Sequence, residues 1–462
     1  MPPHPGDLLD LDIVNLAYGG QGVARSDDFV VFVRGAVPGD RVRARVTRRR
    51  KSHAEARAEE LLTPSPQRVP AACSHTGACG GCEWQTLAYA AQLDYKQQQV
   101  VDSLRRLGHL TDFELQPIRG AANPWRYRNK MEFSFGVADD GTLALGLHRR
   151  GSWRDIVDLE DCPLASEPMN RARLAVAEAC RALGLRPYAR ESGGGLLRHL
   201  VVREGKSSGD LLVNLFVSER FPQEAALAEA VTAACGCTTF ALTVNRSPAD
   251  AAIGEGPYAL VGPPYFRERL AGVDLRVPTA AFLQTNSTMC EILYATALDF
   301  AAADHTRPAV DLYCGIGSLS LPLARAAGRV HGVEIMPEAI AAACDNAVAN
   351  AIANIDFYVG DTRPLLRFPP HPALDAARTD DAERPAVVIA DPPRAGLARK
   401  ALQRAAALGA ERFVYVSCNP TTLAGNAAEL DTLGYRLTTV APVDMFPQTH
   451  HVETVALFQR AG

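Results

Sequence analysis

The sequence lacks any run of eighteen apolar residues, and its opening stretch MPPHPGDLLD lacks the basic flank and apolar core of an export signal. We therefore expect neither a membrane span nor secretion, and we place the chain in the cytoplasm. A strong net charge is also missing, because 48 Lys and Arg residues nearly balance 52 Asp and Glu residues. Any attraction for nucleic acid must therefore be local.

Cysteine, in contrast, is plentiful, with eleven copies among 462 residues. In a large intracellular chain, cysteines more often bind metal or take part in catalysis than form disulfides. Cys73, Cys79 and Cys82 have the spacing C-x5-C-x2-C, and Gly80 and Gly81 allow the chain to turn tightly around a metal centre. Thiolates in such a set hold either zinc or an iron–sulfur cluster, and the spacing does not separate the two.

Residues 10–62 predict a small β-barrel, because apolar runs such as FVVFVRGAV and RVRARV alternate with turn sequences such as YGGQG and PGD. In RVRARV, Arg41, Arg43 and Arg45 alternate with apolar residues, so a pleated strand places three guanidinium groups on one face. This face is either a solvated outer surface, as charge runs usually are, or a phosphate-binding surface for nucleic acid.

The final third of the chain alternates apolar strands with helices, which is typical of a doubly wound parallel sheet. A loop containing Gly315 and Gly317 joins the first strand to a helix, where open α/β sheets bind ligands. Ser320 stands where a dinucleotide fingerprint has its third glycine, so that motif is incomplete. The Pro-, Asp- and Ala-rich stretch 367–386 predicts an exposed insertion.

Acidic residues end the second and third strands of this predicted sheet. Glu334 ends the second strand, where a carboxylate can accept hydrogen bonds from both hydroxyls of a ribose. Asp361 ends the third strand and is placed to meet an adenine edge. The loop and the two acids fit either NAD or S-adenosylmethionine.

Reactive side chains occupy the later strand ends. Asp391 follows the fourth strand in IADPPRAG, and Cys418 follows the fifth in YVSCNPTTL, before a helix that we expect Thr421 or Thr422 to start. Because a helix N-terminus lowers the pKa of a thiol, we expect Cys418 to be a nucleophile. Glu453 lies just inside the apolar last strand. A carboxylate is costly to bury there, so we expect it to have a bonding partner or a functional role.

Four segments, DLYCGIGSLSLPLA, ADPPRAG, YVSCNPTTLA and DMFPQTHHVETV, together resemble the motifs of the RNA uracil-5-methyltransferase family, in the family's order. The stretch from DIVNLAYGGQGVAR to LLTPSPQR is similar to a TRAM domain, and CSHTGACGGCEWQ and SWRDIVDLEDCPL resemble the family's iron–sulfur segments. The resemblance implies an α/β protein of three domains. These are an OB-like TRAM β-barrel over 1–65, a central α/β domain with the iron–sulfur cysteines over 66–280, and a Rossmann-like class I methyltransferase domain over 281–462.

The resemblance also implies that S-adenosylmethionine methylates carbon 5 of a uridine in RNA. Cys418 matches the nucleophile that adds to carbon 6, Glu453 the base that removes the proton from carbon 5, and Asp391 the acid that holds the uracil edge. The expected cofactor-binding residues combine family positions with residues placed by strand topology: Gln284, Tyr313, Gly315, Gly317, Glu334, Asp361 and Asp391.

The family's iron–sulfur segments make Cys162 the fourth ligand beside Cys73, Cys79 and Cys82, and the resemblance favours a [4Fe-4S] cluster over zinc. Neither thiolate addition nor methyl transfer requires an electron. We therefore expect the cluster to have a structural or RNA-positioning role. A radical S-adenosylmethionine enzyme is disfavoured, because it normally has the spacing C-x3-C-x2-C.

RNA is the expected partner, with no membrane and no obligate protein partner. Family members that combine a TRAM barrel with the cysteine set more often act on large-subunit (23S) ribosomal RNA, which the resemblance therefore favours. The alternatives are the same chemistry on transfer RNA, or a non-catalytic RNA-binding protein. Many members read Leu-Ala-Arg-Asp after the nucleophile motif, whereas this chain has Gly425 and Asn426 in the last two positions, so we expect local RNA contacts to differ there.

Overall fold

The computed structural model describes residues 3–247, 251–375 and 384–461. Within these ranges, three large sheets follow one another along the chain, and each has its own apolar core. None of the described helices is long and apolar enough to cross a membrane.

The N-terminal sheet has six strands in the order β1-β5-β6-β4-β3-β2. They are β1 Leu8–Asp12, β2 Asn15–Leu16, β3 Gly22–Ser26, β4 Phe29–Arg34, β5 Arg41–Arg49 and β6 His53–Thr63. Strand β5 has the alternation expected from its sequence, because Val42, Ala44 and Val46 are buried. The apolar face of this sheet thus forms the core of the N-terminal region, which leaves the arginines on the other face.

Two of the three arginines on that face are paired with acids. Arg43 binds Asp10 through two hydrogen bonds of 2.9 and 3.1 Å and donates to Glu60 at 3.0 Å. Arg45 donates to Glu59 at 2.7 and 3.0 Å. The strand alternation is confirmed, and much of the positive charge of the face is neutralised within the sheet.

The central sheet has seven strands in the order β10-β9-β8-β11-β12-β13-β14. Strand β7 (Glu114–Leu115) precedes it in the chain and belongs to another sheet. The seven strands are β8 Lys130–Val137, β9 Leu143–His148, β10 Ile156–Asp158, β11 Leu197–Glu204, β12 Leu211–Val217, β13 Thr239–Val244 and β14 Glu255–Val261. Two helices, Glu167–Ala182 and Glu224–Cys235, contribute to its core, and a hairpin follows with strands β15 Tyr265–Leu270 and β16 Val273–Pro278.

The C-terminal sheet has eight strands in the order β19-β18-β17-β20-β21-β23-β22-β7. Besides β7, they are β17 Pro308–Leu312, β18 Arg329–Glu334, β19 Ile355–Val359, β20 Val387–Ala390, β21 Arg412–Ser417, β22 Tyr435–Val443 and β23 Glu453–Arg460. The helices of this region are Ser287–Ala301, Ser320–Ala324, Pro337–Ala349, Thr362–Leu365, Arg399–Ala407 and Pro420–Thr432. All seven strands predicted from the final third of the sequence are confirmed.

The strand order reverses between β17 and β20, which are parallel neighbours. The chain proceeds from β17 to β18 and β19 on one side, and from β20 to β21 on the other. A crevice opens at the carboxyl ends of the strands at such a point, where ligands of open α/β sheets bind. Tyr313 and Asp391 directly follow these two strands and so lie at this crevice.

The predicted exposed insertion at 367–386 is only partly confirmed. Phe368 is exposed, but a short 3-10 helix at Pro372–Leu374 buries Ala373 and Leu374 completely. Leu374 packs in the apolar core beneath the C-terminal sheet. Removing its side chain from water is favourable, even though the surrounding sequence is polar. Residues 376–383 lie outside the described residues.

Helix Tyr89–Asp102 follows the cysteine-rich segment and packs on the C-terminal sheet, joined there by the pairing of β7 with β22. Its Lys96 ammonium group lies 2.6 Å from the Asp444 carboxylate, and both side chains are fully buried. Tyr89 also donates to Asp444 at 2.8 Å, and Lys96 donates to the carbonyl oxygen of Phe446 at 3.0 Å. Burial lowers the pKa of Lys96, and Asp444 opposes that shift. The pair therefore fastens this helix to the segment that follows β22.

Replacing Lys96 with Met should destabilise the protein strongly, because Asp444 is then buried without its cation. We expect a loss of about 3–5 kcal/mol in the free energy of unfolding, measured by urea denaturation followed by tryptophan fluorescence. The control is the double variant Lys96→Met with Asp444→Asn, which should recover much of the loss because both charges are gone. If the single variant unfolds with the same free energy as wild type, the Lys96–Asp444 pair does not contribute to stability.

Candidate active site

The predicted nucleophile and base lie opposite each other on neighbouring strands. Strands β21 and β23 are antiparallel, and their register pairs Ser417 with Thr454. The next pair in this register is Cys418 with Glu453, so the two side chains project from the same face of the sheet. Glu453 is only 3% exposed, whereas Cys418 is partly exposed at the crevice.

Asp391 joins this pair from the end of β20, the strand beside β21. Its carboxylate accepts a hydrogen bond of 3.3 Å from the Gln284 amide, so two residues predicted for the site are in direct contact. The fields of Asp391 and Glu453 both act on the Cys418 thiol. The structure thus brings Cys418, Glu453, Asp391 and Gln284 together.

The ionisation of these groups is set by burial and by mutual repulsion. Burial raises the pKa of Asp391 to about 7, although the Gln284 hydrogen bond opposes the shift. Burial, followed by the charge of Asp391, raises the pKa of Glu453 well above its usual range. A carboxyl group with a raised pKa is a stronger base when it is ionised, which suits proton removal near neutral pH.

The expected lowering of the Cys418 pKa is wrong. Burial first, and then the charges of Glu453 and Asp391, raise the pKa of this thiol to about 12, while Arg394 acts in the opposite direction. Helix Pro420–Thr432 does begin two residues later, but Asn419 caps it by accepting a hydrogen bond from the Thr421 amide at 3.0 Å. Two nearby carboxyl groups outweigh the helix dipole, whose effect is modest.

The glycine-rich loop has the backbone conformation that its residues predict. Gly315 and Gly317 have φ angles of 55° and 80°, and Tyr313 has a φ of 66°. A Cβ atom at Gly315 would meet nothing within 4 Å, so the loop faces open space. The Glu334 carboxylate accepts from the Gly315 amide at 3.2 Å, which fastens the loop to the end of β18.

Ser320 also has a role at this loop, although it breaks the dinucleotide fingerprint. Its hydroxyl donates to the carboxylate of buried Asp311, whose pKa burial raises to about 7. Asp361 lies near Tyr313 and caps helix Thr362–Leu365 by accepting from the Arg363 amide at 2.8 Å. All the predicted cofactor residues therefore border the crevice at the ends of β17, β18, β19 and β20.

The loop before Glu453 is held by residues far away in the sequence. Gln448, which has a φ of 71°, exchanges hydrogen bonds with the side chain of Gln92 at 2.9 and 3.0 Å. The amides of Glu83 and Trp84, which follow the cysteine Cys82, donate to the Gln448 carbonyl at 3.2 and 3.1 Å. The base is thus positioned jointly by the cysteine-rich segment and by helix Tyr89–Asp102.

The four predicted metal-binding cysteines line one pocket beside the central sheet: Cys73, Cys79, Cys82 and Cys162. All are free thiols, and burial raises the pKa of Cys82 to about 12. The charge of the partly buried Arg128 acts on Cys82 and Cys162. Within the described residues, no group of three or more His, Cys, Asp or Glu side chains is arranged to hold a single metal ion.

Asn426, one of the two departures from the family pattern, has a structural role. Its side-chain oxygen accepts from the Leu397 amide at 2.9 Å and from the Tyr415 hydroxyl at 2.8 Å, and its amide group donates to the Leu397 carbonyl at 3.1 Å. Asn426 therefore secures the segment that follows Asp391. These hydrogen bonds hold the side chain within the protein, and the expected difference in RNA contacts stays a prediction.

Sequence reasoning missed several residues that shape the site: Arg394, Asn419, Asn426, Lys96 and Asp444. The Asn-Pro pair at 419–420 was a usable signal, because Asn is a favoured cap and Pro is favoured at the first helical position. No local pattern marks Lys96 and Asp444 as partners, since 348 positions separate them.

Two family models match the chain. The model for tRNA (uracil-5-)-methyltransferases matches residues 269–461, and the TRAM domain model matches residues 4–58. The first match contains Cys418, Glu453 and Asp391, and the second covers most of the N-terminal sheet.

Curated relatives extend over nearly the whole chain. An RNA methyltransferase of Halalkalibacterium halodurans is 36% identical over 460 residues, covering 99% of this chain and 98% of the relative. One from Thermosynechococcus vestitus is 37% identical over 456 residues, with 98% of each chain covered. Among solved structures, the tRNA (uracil-54, C5)-methyltransferase of Pyrococcus abyssi, in complex with S-adenosyl-L-homocysteine, aligns with a TM-score of 0.76 and 26% identity. That alignment covers 97% of this chain and 100% of the other.

The raised pKa of Cys418 predicts slow alkylation at neutral pH that accelerates as the pH rises towards 12, because the thiolate is the reactive form. In the Glu453→Gln variant the profile should shift to lower pH, since one of the carboxyl groups that oppose ionisation is gone. The measurement is iodoacetamide labelling followed by peptide mass spectrometry. Exposed Cys344 provides an internal control in every sample. Rapid labelling of wild-type Cys418 at pH 7 would contradict the raised pKa.

Proposed function

Because this chain belongs to the RNA uracil-5-methyltransferase family, we propose that it methylates carbon 5 of a uridine in RNA through a covalent bond between Cys418 and carbon 6. The single observation that carries the proposal is the β21–β23 register, which places the thiol of Cys418 opposite the carboxyl group of Glu453. An enzyme of this type needs a nucleophile below the pyrimidine ring and a base near carbon 5, and this register supports both assignments.

The two residues act at different stages of the reaction. The Cys418 thiolate forms a bond to carbon 6, and the electron pair of the carbon 5–carbon 6 double bond moves onto carbon 5 and the adjacent carbonyl group. S-adenosylmethionine supplies an electrophilic methyl group when it is bound. Glu453 then takes the proton from carbon 5, and the electrons of that bond restore the double bond as the sulfur–carbon bond breaks.

The crevice fits S-adenosylmethionine by the chemistry of its donors. The ligand carries a positive sulfonium group, and acids at the strand ends can supply negative charge: Glu334, Asp361 and, once a bound cation favours its ionised form, Asp391. The glycine loop offers open space for a close approach. Gln284, Tyr313 and Glu334 would hold the ligand. A cation bound beside Asp391 would oppose the field that keeps the Cys418 thiol protonated, so binding would favour the thiolate.

The four-cysteine pocket fits a metal cluster by its donor set, since thiolates hold [4Fe-4S] clusters and the partly buried Arg128 offsets their negative charge. We propose that Cys73, Cys79, Cys82 and Cys162 bind a [4Fe-4S] cluster. Its role is structural, because the amides that follow Cys82 hold the loop that leads to Glu453. We further propose 1–65, 66–280 and 281–462 as the three domains, since each range contributes most strands of one large sheet, while helix Tyr89–Asp102 and strand β7 of the middle range pack with the C-terminal sheet.

For the RNA, we propose 23S ribosomal RNA, since the family resemblance associates a TRAM domain and a cysteine set with that substrate. Transfer RNA is the second candidate, because the Pyrococcus abyssi relative is a tRNA (uracil-54, C5)-methyltransferase.

Incubation with labelled S-adenosylmethionine and separate unmodified ribosomal and transfer RNA should yield labelled 5-methyluridine from one of them. Cys418→Ala should abolish turnover while leaving S-adenosylmethionine binding intact, because the thiol acts on the uracil ring and not on the cofactor. Glu453→Gln should accumulate a protein–RNA adduct that resists denaturant, because the proton on carbon 5 is no longer removed. Label in another nucleoside, or full activity of Cys418→Ala, would overturn the mechanism.

Anaerobically purified protein should contain about four iron atoms and four sulfide ions per chain, and Cys162→Ser should lose most of both, because one thiolate ligand is missing. Chemical iron and sulfide assays provide the measurement. Cys180→Ser is the matched control, since Cys180 is buried in the same core but lies outside the pocket. Stoichiometric zinc without sulfide would show that the four cysteines bind zinc, and it would overturn the cluster assignment.

A further inference from the structure

The turn between β2 and β3 of the N-terminal sheet lies against the catalytic region. The Ala17 carbonyl accepts from the Gln99 side chain at 3.3 Å, and the Gly20 carbonyl accepts from the Trp84 indole at 3.3 Å. A Cβ atom at Gly20 would lie 3.4 Å from the Nδ1 atom of His450, three positions before Glu453. This turn is therefore fastened to Trp84 and to helix Tyr89–Asp102, and it lies beside the loop 444–452 that leads to Glu453, here called the base-bearing loop.

Tyr18 is the side chain that this turn directs into the site. Its ring contacts the His450 ring edge-on, with 6.0 Å between centroids and an angle of 89° between planes. The ring is partly exposed, but the hydroxyl oxygen is buried. The Arg394 side chain is close enough to donate to this oxygen, whereas no acceptor for the hydroxyl proton lies within hydrogen-bond geometry among the described residues. The tip of the side chain therefore points inward.

The surroundings of the Tyr18 hydroxyl are those of the proposed reaction centre. Burial, and then the charges of Cys418 and Glu453, raise the pKa of Tyr18, while neighbouring Arg394 opposes the shift. The phenol is therefore neutral and can donate a hydrogen bond. The Glu453 oxygen Oε2 is likewise buried with no hydrogen-bond partner among the described residues.

A buried hydroxyl proton without an acceptor is costly, so its presence at the proposed reaction centre points to an acceptor that arrives with the substrate. Thiolate addition to carbon 6 places negative charge on a ring carbonyl oxygen. A neutral donor directed at that oxygen stabilises the adduct more than the starting uracil.

We propose that Tyr18 is a substrate-contacting residue, whose hydroxyl donates a hydrogen bond to a carbonyl oxygen of the uracil attacked by Cys418. This inference rests on the proposed function and deepens it, since the N-terminal sheet then supplies part of the active site. The catalytic pocket is complete only when that sheet is docked on the base-bearing loop.

The test compares wild type, Tyr18→Phe and Tyr258→Phe on transcripts of ribosomal and transfer RNA that contain 5-fluorouridine. Every reaction contains S-adenosylmethionine. Once carbon 5 carries both the methyl group and fluorine, it has no proton to lose, so the covalent adduct persists and its rate of formation can be measured. Tyr258→Phe is the control, because Tyr258 is an exposed tyrosine on β14 of the central sheet. The rate constant is measured at saturating RNA, the Kd for RNA by filter binding, and the fold by the thermal unfolding midpoint.

We expect Tyr18→Phe to form the adduct about tenfold more slowly at saturating RNA, with a Kd within about twofold of wild type. Tyr258→Phe should behave as wild type. An unchanged rate in Tyr18→Phe would overturn the contact and leave the proposed function standing. A weaker Kd with an unchanged saturating rate would also overturn it, because the hydroxyl would then act only in RNA binding.

The alkylation rate of Cys418 in RNA-free protein shows whether Tyr18 acts on the thiol itself or, as proposed, on the uracil. We expect Tyr18→Phe to leave the alkylation rate unchanged within about twofold. A decrease as large as that of adduct formation would place the effect on the thiol and overturn the contact. Failure of wild type to form an adduct on either RNA would overturn the proposed function, and the Tyr18 contact with it.

Discussion

The antiparallel pairing of β21 with β23 is the constraint on which the candidate site depends. Without it, Cys418 and Glu453 would be two polar residues at unrelated positions. The register places them opposite each other, and the parallel neighbour β20 brings Asp391 to the same edge. Backbone hydrogen bonds along three strands thus hold the reactive groups, which gives more precise geometry than a loop could.

Burial of several acids in one crevice determines the electrostatics. Asp311, Asp391 and Glu453 have raised pKa values, chiefly because burial penalises their charged forms. Burial, and then the charges of Glu453 and Asp391, likewise keep the Cys418 thiol protonated. Such a site is suited to receive a cation, and the reactivity of the thiol is then linked to occupancy of the crevice.

Contacts from the N-terminal sheet, the cysteine-rich segment and helix Tyr89–Asp102 converge on the base-bearing loop. The Lys96–Asp444 ion pair holds the first residue of this loop, and the hydrogen bond between Gln92 and Gln448 holds its middle. The turn that carries Tyr18 lies against His450. The cysteine-rich segment enters the same junction through Trp84. Regions that differ in sequence pattern therefore converge on the residue that we assign as the base.

The sequence by itself determined the strands of the C-terminal sheet and the glycine loop, and it led to the proposed reactive residues, because apolar periodicity and short motifs are local properties. It did not reveal the direction of the Cys418 pKa shift, the burial of Leu374, or the placement of Tyr18 beside a site some 400 positions away. Those features depend on which groups become neighbours in space. Only the tertiary structure decided them, because desolvation and charge interactions act over distances through space and not along the chain.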